Sequence, residues 1–491
     1  MFAGNFELDD AEYICGDNGA FDVLDTLTSL VDKSIVIRDE SDGTICFRML
    51  DIVREYGHEK LALADHFTQL RERHRDWYER RASTVESEWI GPRQLQWISR
   101  TTRELPNYRE ALEFGLSQGD ASALRTAAAL FPYWLAGGLL TEGRRWIDRA
   151  LDQSATHPTS QRIRALYAAT LLAGDQGDFT VANAYIEQMR VIEAREPDHT
   201  TAALAATAEE WIAVCSGDRE RARICLRGHM KIPRTHEELR LQVEELICRG
   251  WVHYLLGETS AALASHRKVL DIADTHGECV NRNYALWASG VFVWRDGDRN
   301  EAKNLLESGL RLTRRSDDPV MAFLCLQTLA WIAAEQDDGR RGAVMMGAAK
   351  NLGRWMGHSP VRDYVVHQNN FERSARRQLG GRLFEAALRE GGSMGMNAAI
   401  SFALGEPLSQ SPPKERTLVE LTQRERQVAG LVAEGLTNNA IAERLTISRR
   451  TAQGHVEHIL TKLGYTSRAQ IAAWVTKREH ESGKTWDTQQ P

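Results

Sequence analysis

The chain lacks the short motifs that mark several classes of enzyme and metal protein. No G-x-x-x-x-G-K-[ST] sequence occurs in its 491 residues, so no loop of that kind cradles a triphosphate, and no H-E-x-x-H zinc motif occurs either. The seven cysteines form no C-x-x-C pair, which argues against a disulfide framework or a zinc knuckle and favours buried, unpaired thiols. We therefore predict a protein that is not an enzyme and that needs no cofactor and no metal.

Long apolar runs and a basic leader are missing as well. The longest apolar stretch, residues 127–140, is interrupted by Pro132 and is too short to span a bilayer. The first 16 residues contain four acidic residues and no lysine or arginine, unlike the start of a secretory signal peptide. These two absences predict a protein that has no membrane partner and resides in the cytoplasm.

Basic residues are in deficit overall but in excess near the C-terminus. The formal net charge is −7, yet residues 421–478 contain nine Lys and Arg against four Asp and Glu. The rest of the chain contains 52 basic and 64 acidic residues. A basic segment on an acidic body is typical of proteins in which one part faces phosphate groups. Chance placement of surface charge would explain the asymmetry equally well, so charge alone does not decide between these interpretations.

A 40-residue period runs through the middle of the chain. Glycines recur at one position of this period, with an aspartate in the last copy: Gly177, Gly217, Gly257, Gly297 and Asp337. An acidic residue follows each: Asp178, Asp218, Glu258, Asp298 and Asp338. A small residue stands five positions after each: Ala182, Ala222, Ala262, Ala302 and Gly342. The pattern predicts stacked helix–turn–helix units in which the glycine ends the first helix at positive φ and the small residue permits close helix packing.

The repeat region resembles tetratricopeptide-type repeats over residues 117–357, although its unit is longer than the usual ~34 residues. The alternative is an irregular helical bundle whose spacing is accidental. We predict a helical-hairpin solenoid over residues 65–404, with Trp211, Trp251 and Trp331 at one phase of the repeat and in its core. The concave face of such a solenoid would hold an effector, either a protein or a small molecule.

The first 64 residues have a different pattern. Helical periodicity over 8–13 and 21–31 is followed by two β-branched runs, 34–38 and 44–48, around an Asp-Gly turn, and then by a helix from Leu50. This order predicts a winged-helix-like domain over residues 1–64. It resembles the small domain that follows the nucleotide-binding core in signal-transduction ATPases of the AfsR and large LuxR type, where that domain is a packing module. Because no ATPase core is present, we expect the chain to be a truncation of a longer regulator.

A Pro-rich segment, residues 405–417, predicts a linker to a small C-terminal domain over residues 418–480, with a disordered tail at 481–491. Four helices are indicated by the capping residues Thr422, Thr437, Ser448 and Ser467. Their inward positions follow helical spacing: Ile441, Ala442, Leu445, Ala452, Val456, Ile459 and Leu463. A short helix, a tight turn and a longer helix form a helix-turn-helix.

This segment closely resembles the DNA-binding domain of LuxR/NarL-type regulators. Matching residues occur at fixed spacing: Leu421-Thr422, Arg424-Glu425, Val428, Gly435, Asn438, Ile441-Ala442, Leu445, Ser448, Thr451, His455-Val456, Ile459, Lys462-Leu463 and Ser467-Arg468. The resemblance implies a third helix in the major groove of double-stranded DNA and a fourth helix that often makes the contact of a homodimer. We predict the following DNA-binding residues: Asn438, Ser448, Arg449, Arg450, Thr451, Gln453, Gly454, His455, Glu457 and Lys462.

Two positions of the third helix depart from this family's pattern. The family usually has lysine where Gln453 stands, and a polar or basic residue where Glu457 stands. Both differences reduce attraction to phosphate, so we expect weak binding by a monomer and a need for dimerisation. The sequence thus predicts a mainly α, bacterial, sequence-specific DNA-binding transcriptional regulator. The alternative is a tetratricopeptide-like interaction scaffold that carries a vestigial DNA-binding tail.

Overall fold

The chain divides into two compact units, residues 1–407 and 408–491. The computed structural model describes residues 1–16, 22–41, 43–63, 66–153, 159–229, 238–353, 363–407, 423–433, 436, 438–445, 447, 451–456, 459 and 475. The predicted small domain and repeat domain both lie in the first unit, and the predicted DNA-binding domain lies in the second. The exact domain limits given above stay predictions.

The first residues form helices followed by a hairpin. Helices α1 (Leu8–Cys15) and α2 (Val23–Asp32) precede strands β1 (Val36–Ser41) and β2 (Thr44–Met49), and α3 (Asp51–Ala62) follows. The strands are antiparallel, with Val36 opposite Met49. The helix–hairpin–helix order is as predicted, but the first strand begins two residues later than expected. Ser34 has φ 56° and belongs to the turn that ends α2, so it does not extend the strand.

Helices make up the rest of the first unit. They run in chain order as follows: α4 (Phe67–Ser87), α5 (Gln94–Gln118), α6 (Ser122–Ala129), α7 (Phe131–Ala136), α8 (Leu140–Gln153), α9 (Thr159–Asp175), α10 (Phe179–Arg195), α11 (His199–Ser216), α12 (Arg219–His229), α13 (Leu239–Leu256), α14 (Thr259–His276), α15 (Val280–Arg295), α16 (Arg299–Ser316), α17 (Pro319–Glu335), α18 (Gly339–Leu352), α19 (Asp363–Leu379), α20 (Gly381–Gly392) and α21 (Met396–Leu404). None of the helices in the described part of the chain is both long and apolar enough to cross a membrane.

The 40-residue period corresponds to five helical hairpins, which begin with α9, α11, α13, α15 and α17. The glycine position ends each first helix at positive φ, from 72° at Gly217 to 101° at Gly297, and Asp337 adopts φ 60° in the last copy. The acidic residue that follows begins the second helix. In four of the five copies its carboxylate accepts a hydrogen bond from a first-turn backbone N–H, as Asp298 does from Glu301. These contacts confirm the predicted helix–turn–helix unit.

The small residues and the repeated tryptophans have the packing roles predicted from the sequence. Ala182, Ala222, Ala262 and Ala302 are fully buried, which lets the second helix of each hairpin approach the first. Trp211, Trp251 and Trp331 are buried as well, and they belong to one continuous core of the first unit. The mainly α fold, with helical hairpins after an N-terminal hairpin of strands, is therefore confirmed.

The helices that precede the repeats contact the middle of the solenoid. Buried Gln94, at the start of α5, donates to Glu278 Oε1 at 2.6 Å and accepts from the backbone N–H groups of Cys279 and Val280. Buried Arg240 on α13 makes an ion pair of 3.0 Å with Glu86 on α4. These bonds join residues more than 150 positions apart. They hold the connection between α4 and α5 against the first helices of the central hairpins.

Gly391 is the site of a direct stability prediction. A Cβ added there would overlap the carbonyl oxygen of Val344, because α18 and α20 pack backbone to backbone. We expect Gly391→Ala to lower the free energy of unfolding by about 3 kcal/mol, since neither helix backbone can move aside cheaply. Gly228→Ala is the matched control: it changes a helical glycine with no described atom within 4 Å, and no loss is expected. Urea denaturation of both variants measures the difference, and equal effects would contradict the close packing.

Candidate nucleic-acid interface and repeat-domain cavity

The second unit contains two described helices and part of a third. Helices α22 (Gln423–Ala433) and α23 (Asn438–Leu445) are followed by helical residues 451–456. The backbone N–H of Leu436 bonds to Leu431 O at 3.1 Å, and that of Ile447 bonds to Ala442 O at 2.9 Å. Both bonds reach back five residues, so they terminate the two helices tightly. Arg424 donates to Leu445 O at 2.7 Å and so fastens α22 to the end of α23.

A separate apolar core holds these helices together. Its buried members come from every described segment of the unit: Val428, Ala429, Leu431, Val432, Ile441, Ala442, Ala452, Val456, Ile459 and Val475. Leu445 packs against this core from its edge. The inward positions predicted for the second and third helices are therefore confirmed, except Leu463, which lies outside the described residues. Because it has its own core, this unit can present a helix to a partner without help from the repeats.

The predicted DNA-binding residues fall partly within the described structure. Thr451, Gln453, Gly454 and His455 share the helical segment whose other face buries Ala452 and Val456. Gln453 is exposed, while the other three are half-buried. Asn438 begins α23. Outside the described residues lie Ser448, Arg449, Arg450, Glu457 and Lys462, as do the capping residues Thr422, Thr437 and Ser467. A DNA contact by any of these residues stays a prediction.

A cavity of about 280 Å³ lies among the first helices of the hairpins. Its described wall is mostly apolar and rich in aromatic rings, which come from several elements: Trp89, Phe131, Trp211, Tyr284 and Phe323. The helices α7, α9, α11, α13, α15 and α17 all contribute, so the cavity is on the side where the first helices of the hairpins face one another. The sequence predicted an effector on the concave face of the solenoid and did not indicate the residues that line this cavity.

Asp175 is the polar group that distinguishes the cavity. It ends α9, and its Oδ1 accepts a hydrogen bond from Trp211 Nε1 at 2.9 Å. Burial raises the pKa of Asp175 to about 7, although the bond from Trp211 opposes the rise. Among the described residues no cation forms an ion pair with it. The only sequence signal was position: Asp175 stands two residues before the glycine of its repeat, where the next copies have Cys215 and Leu255.

The other charged residues of the cavity wall already have partners. Arg240 pairs with Glu244 at 2.6 Å and also with Glu86 and Glu238. The hydroxyl of Tyr167 donates to Glu244 at 2.8 Å. Asp318 accepts two backbone N–H bonds at the start of α17, while burial raises its pKa to about 6. Among the described residues of this wall, Asp175 is thus the carboxylate that has neither a cation nor a helix N-terminus beside it.

Comparison with known proteins identifies the second unit. Residues 419–475 match the family described as bacterial regulatory proteins, luxR family. The nitrate/nitrite response regulator NarL of Escherichia coli is 39% identical over 85 residues, which are 17% of this chain and 39% of that protein. The activator DevR/DosR of Mycobacterium tuberculosis is 39% identical over 75 residues, 15% of this chain and 35% of that protein. The LuxR-type resemblance of this domain is confirmed.

Similarity also extends into the first unit. A protein described as the HTH-type transcriptional regulator Rv0890c of Mycobacterium tuberculosis is 28% identical over 374 residues, which are 72% of this chain and 42% of that protein. The chain therefore spans about two fifths of the length of this relative. Among solved structures, one match is a signal transduction ATPase with numerous domains and a tetratricopeptide repeat sensor from Pyrococcus horikoshii. The aligned part covers 79% of this chain and 62% of that protein's chain, with 13% sequence identity and a TM-score of 0.38.

Proposed function

Because residues 419–475 are a LuxR-family helix-turn-helix domain, we propose that the chain binds specific sequences of duplex DNA and regulates transcription. The observation that carries this proposal is the two-faced helical segment 451–456. It buries Ala452 and Val456 against its own domain and exposes Gln453 on the other side. A glutamine side chain can pair with adenine in the major groove, and the net basic charge of residues 421–478 suits the phosphates on either side.

We propose that the bound form is a homodimer. Gln453 stands where the LuxR/NarL pattern usually has lysine. The third helix, which we call the reading helix because it is expected to contact the bases, therefore has one positive charge fewer, and this lowers the affinity of a single domain for DNA. Two domains on one duplex multiply their contacts, because binding of the second is intramolecular. A dimer with two-fold symmetry reads two half-sites in inverted orientation. The number and orientation of half-sites in the DNA that the protein selects therefore indicate its oligomeric state on DNA.

The experiment for this proposal is selection of genomic fragments by the purified full-length chain. We expect the bound fragments to share a motif with two inverted half-sites. A matched selection uses the chain that ends at residue 407, the boundary between the compact units, and should retain no common motif. Fragments without any shared sequence would contradict specific recognition and would favour the scaffold alternative, in which the repeats act alone.

We further propose that the repeat domain senses a signal for the DNA-binding domain. Support comes from the cavity among the first helices of the hairpins, whose volume and apolar wall resemble those of small-molecule sites. Repeat solenoids commonly bind their partners on an extended concave surface. A ligand changes DNA binding only as far as its affinity differs between the DNA-bound and free forms of the chain. Measurement of DNA affinity with and without the ligand tests this coupling.

Gly454 gives a prediction specific to the reading helix. No described atom lies within 4 Å of a Cβ built at this position, so packing within the protein does not require glycine there. Glycine in a helix lowers stability by about 1 kcal/mol relative to alanine. We expect Gly454→Ala to stabilise the C-terminal domain by about that amount and to weaken DNA binding, because the added methyl group stands between the helix and the duplex. Stronger DNA binding by this variant would contradict a close approach at Gly454.

A further inference from the structure

We infer that the repeat-domain cavity binds a small apolar molecule that carries one amine. The inference rests on the proposed function in treating this side of the solenoid as the sensor. It goes further by assigning the chemistry of the ligand. Three observations on the described residues carry it: the size of the cavity, its aromatic wall, and a carboxylate without a cation.

The size of the cavity limits the ligand to a small organic molecule. Its volume of about 280 Å³ is close to the lower end of small-molecule sites, which are roughly 300–1,000 Å³, so it suits a small organic ligand. A folded protein segment needs more space than this, because one helix alone is about 10 Å wide. The size of the cavity therefore favours a small molecule over a protein partner.

The wall of the cavity favours an apolar body with a positive charge. Rings of Trp89, Phe131, Trp211 and Phe323 line it, and their faces attract both apolar groups and cations. A carboxylate ligand would meet Asp175, Glu244 and Asp318, whereas the one arginine of the described wall, Arg240, is already bonded to acidic side chains. Charge complementarity thus excludes an acid and favours a cation.

Asp175 is the group that would hold the amine. Its Oδ1 accepts from Trp211 Nε1, which fixes the carboxylate in the wall and leaves lone pairs for a second donor. An ammonium group beside Asp175 would supply the cation that the described structure lacks there. A hydrogen bond to a charged group of this kind is worth about tenfold to a hundredfold in affinity.

The test compares three ligands of nearly equal size on the full-length chain without DNA. The probes are 4-phenylbutylamine, 4-phenylbutan-1-ol and 4-phenylbutanoate. Isothermal titration calorimetry measures their binding at about pH 8, because Asp175 is ionised at that pH. We expect the amine to bind at least tenfold more tightly than the alcohol and the carboxylate not to bind. Equal affinities for amine and alcohol, or no binding of any probe, would overturn the inference.

Two variants assign the effect to Asp175. Asp175→Asn keeps an oxygen for the Trp211 hydrogen bond but removes the charge, so it should lower amine affinity at least tenfold and leave alcohol affinity unchanged. Asp271→Asn, at an exposed position on α14, is the matched control and should change neither. Undiminished amine binding by Asp175→Asn would contradict the assignment. DNA selection uses no ligand and this titration uses no DNA, so failure of one proposal is distinguishable from failure of the other.

Discussion

Alanine at both Arg449 and Arg450 is expected to weaken duplex binding by the full-length chain about a hundredfold. This pair directly precedes Thr451, at the predicted start of the third helix of the C-terminal domain. An arginine contact to a base edge contributes about 1–3 kcal/mol, and each phosphate contact contributes about 0.9 to the salt dependence of binding. The double variant should therefore also reduce the slope of log K against log salt by up to about 1.8.

The control for this prediction removes the same charge from the other unit. Arg223→Ala with Arg227→Ala changes two exposed arginines on α12 of the repeat domain. This variant should bind DNA with unaltered affinity and salt dependence. Circular dichroism of both variants should match that of the unchanged chain, since Arg223 and Arg227 are exposed and Arg449 and Arg450 are predicted to face outward from their helix. If the two double variants weaken binding equally, net charge rather than the third helix determines affinity.

Asparagine at Asp175 is expected to change how stability depends on pH. The pKa of Asp175 is about 7 in the folded protein because burial disfavours its charged form, against an ordinary value of 3.8. The folded state thus binds this proton more tightly than the unfolded state, so this group's contribution to stability falls as pH rises from about 4 to 7 and then levels off. A rise of this size corresponds to at most about 4 kcal/mol.

The measurement is urea denaturation of the repeat domain within the full-length chain at about pH 5 and pH 8. Relative to the unchanged chain, Asp175→Asn should gain stability between the two pH values, because it lacks the ionisation that penalises the folded state. Nearby Cys215, Cys248 and Tyr284 stay neutral in this range, since burial raises the pKa of each well above its ordinary value. Asp271→Asn should show no such gain. A constant difference between Asp175→Asn and the unchanged chain would contradict a raised pKa for this carboxylate.

The repeat architecture could be predicted because the residues that end and begin its helices are required by local backbone geometry. A residue at positive φ ends each first helix, and four of the five copies have glycine there. The 40-residue spacing of glycines from Gly177 to Gly297 is therefore visible in the sequence. The acidic residue that follows is favoured because, in four of the five copies, its carboxylate accepts a hydrogen bond from the first turn of the next helix. Both requirements involve residues close together in the chain, which is why the pattern survives in sequence alone.

The cavity could not be predicted because it depends on distant contacts. Asp175 and Tyr284 come from hairpins more than 100 residues apart, and Trp89 belongs to neither. They line one space only because the fold brings together helices from distant parts of the chain. The bonds of Gln94 to Glu278 and its neighbours, which join α5 to the start of α15, likewise have no repeat signature.

The reading helix lies between these two cases. Its inward positions, Ala452, Val456 and Ile459, follow helical spacing and are buried as predicted. The roles predicted for its outward residues depend on DNA, which imposes no periodic pattern on the protein. Those roles were therefore available only through resemblance to a family, and they stay predictions for Thr451, Gln453 and the neighbouring site residues.

The most direct measurement is the salt dependence of duplex binding by the full-length chain. With a fragment recovered in the genomic selection, log K should fall linearly with log salt. Four phosphate contacts would lower affinity by roughly a hundredfold between about 50 and 200 mM salt. Affinity for double-stranded DNA that is absent, or that does not change with salt, would contradict a helix that docks between phosphate backbones and would leave the repeats as the functional part of the chain.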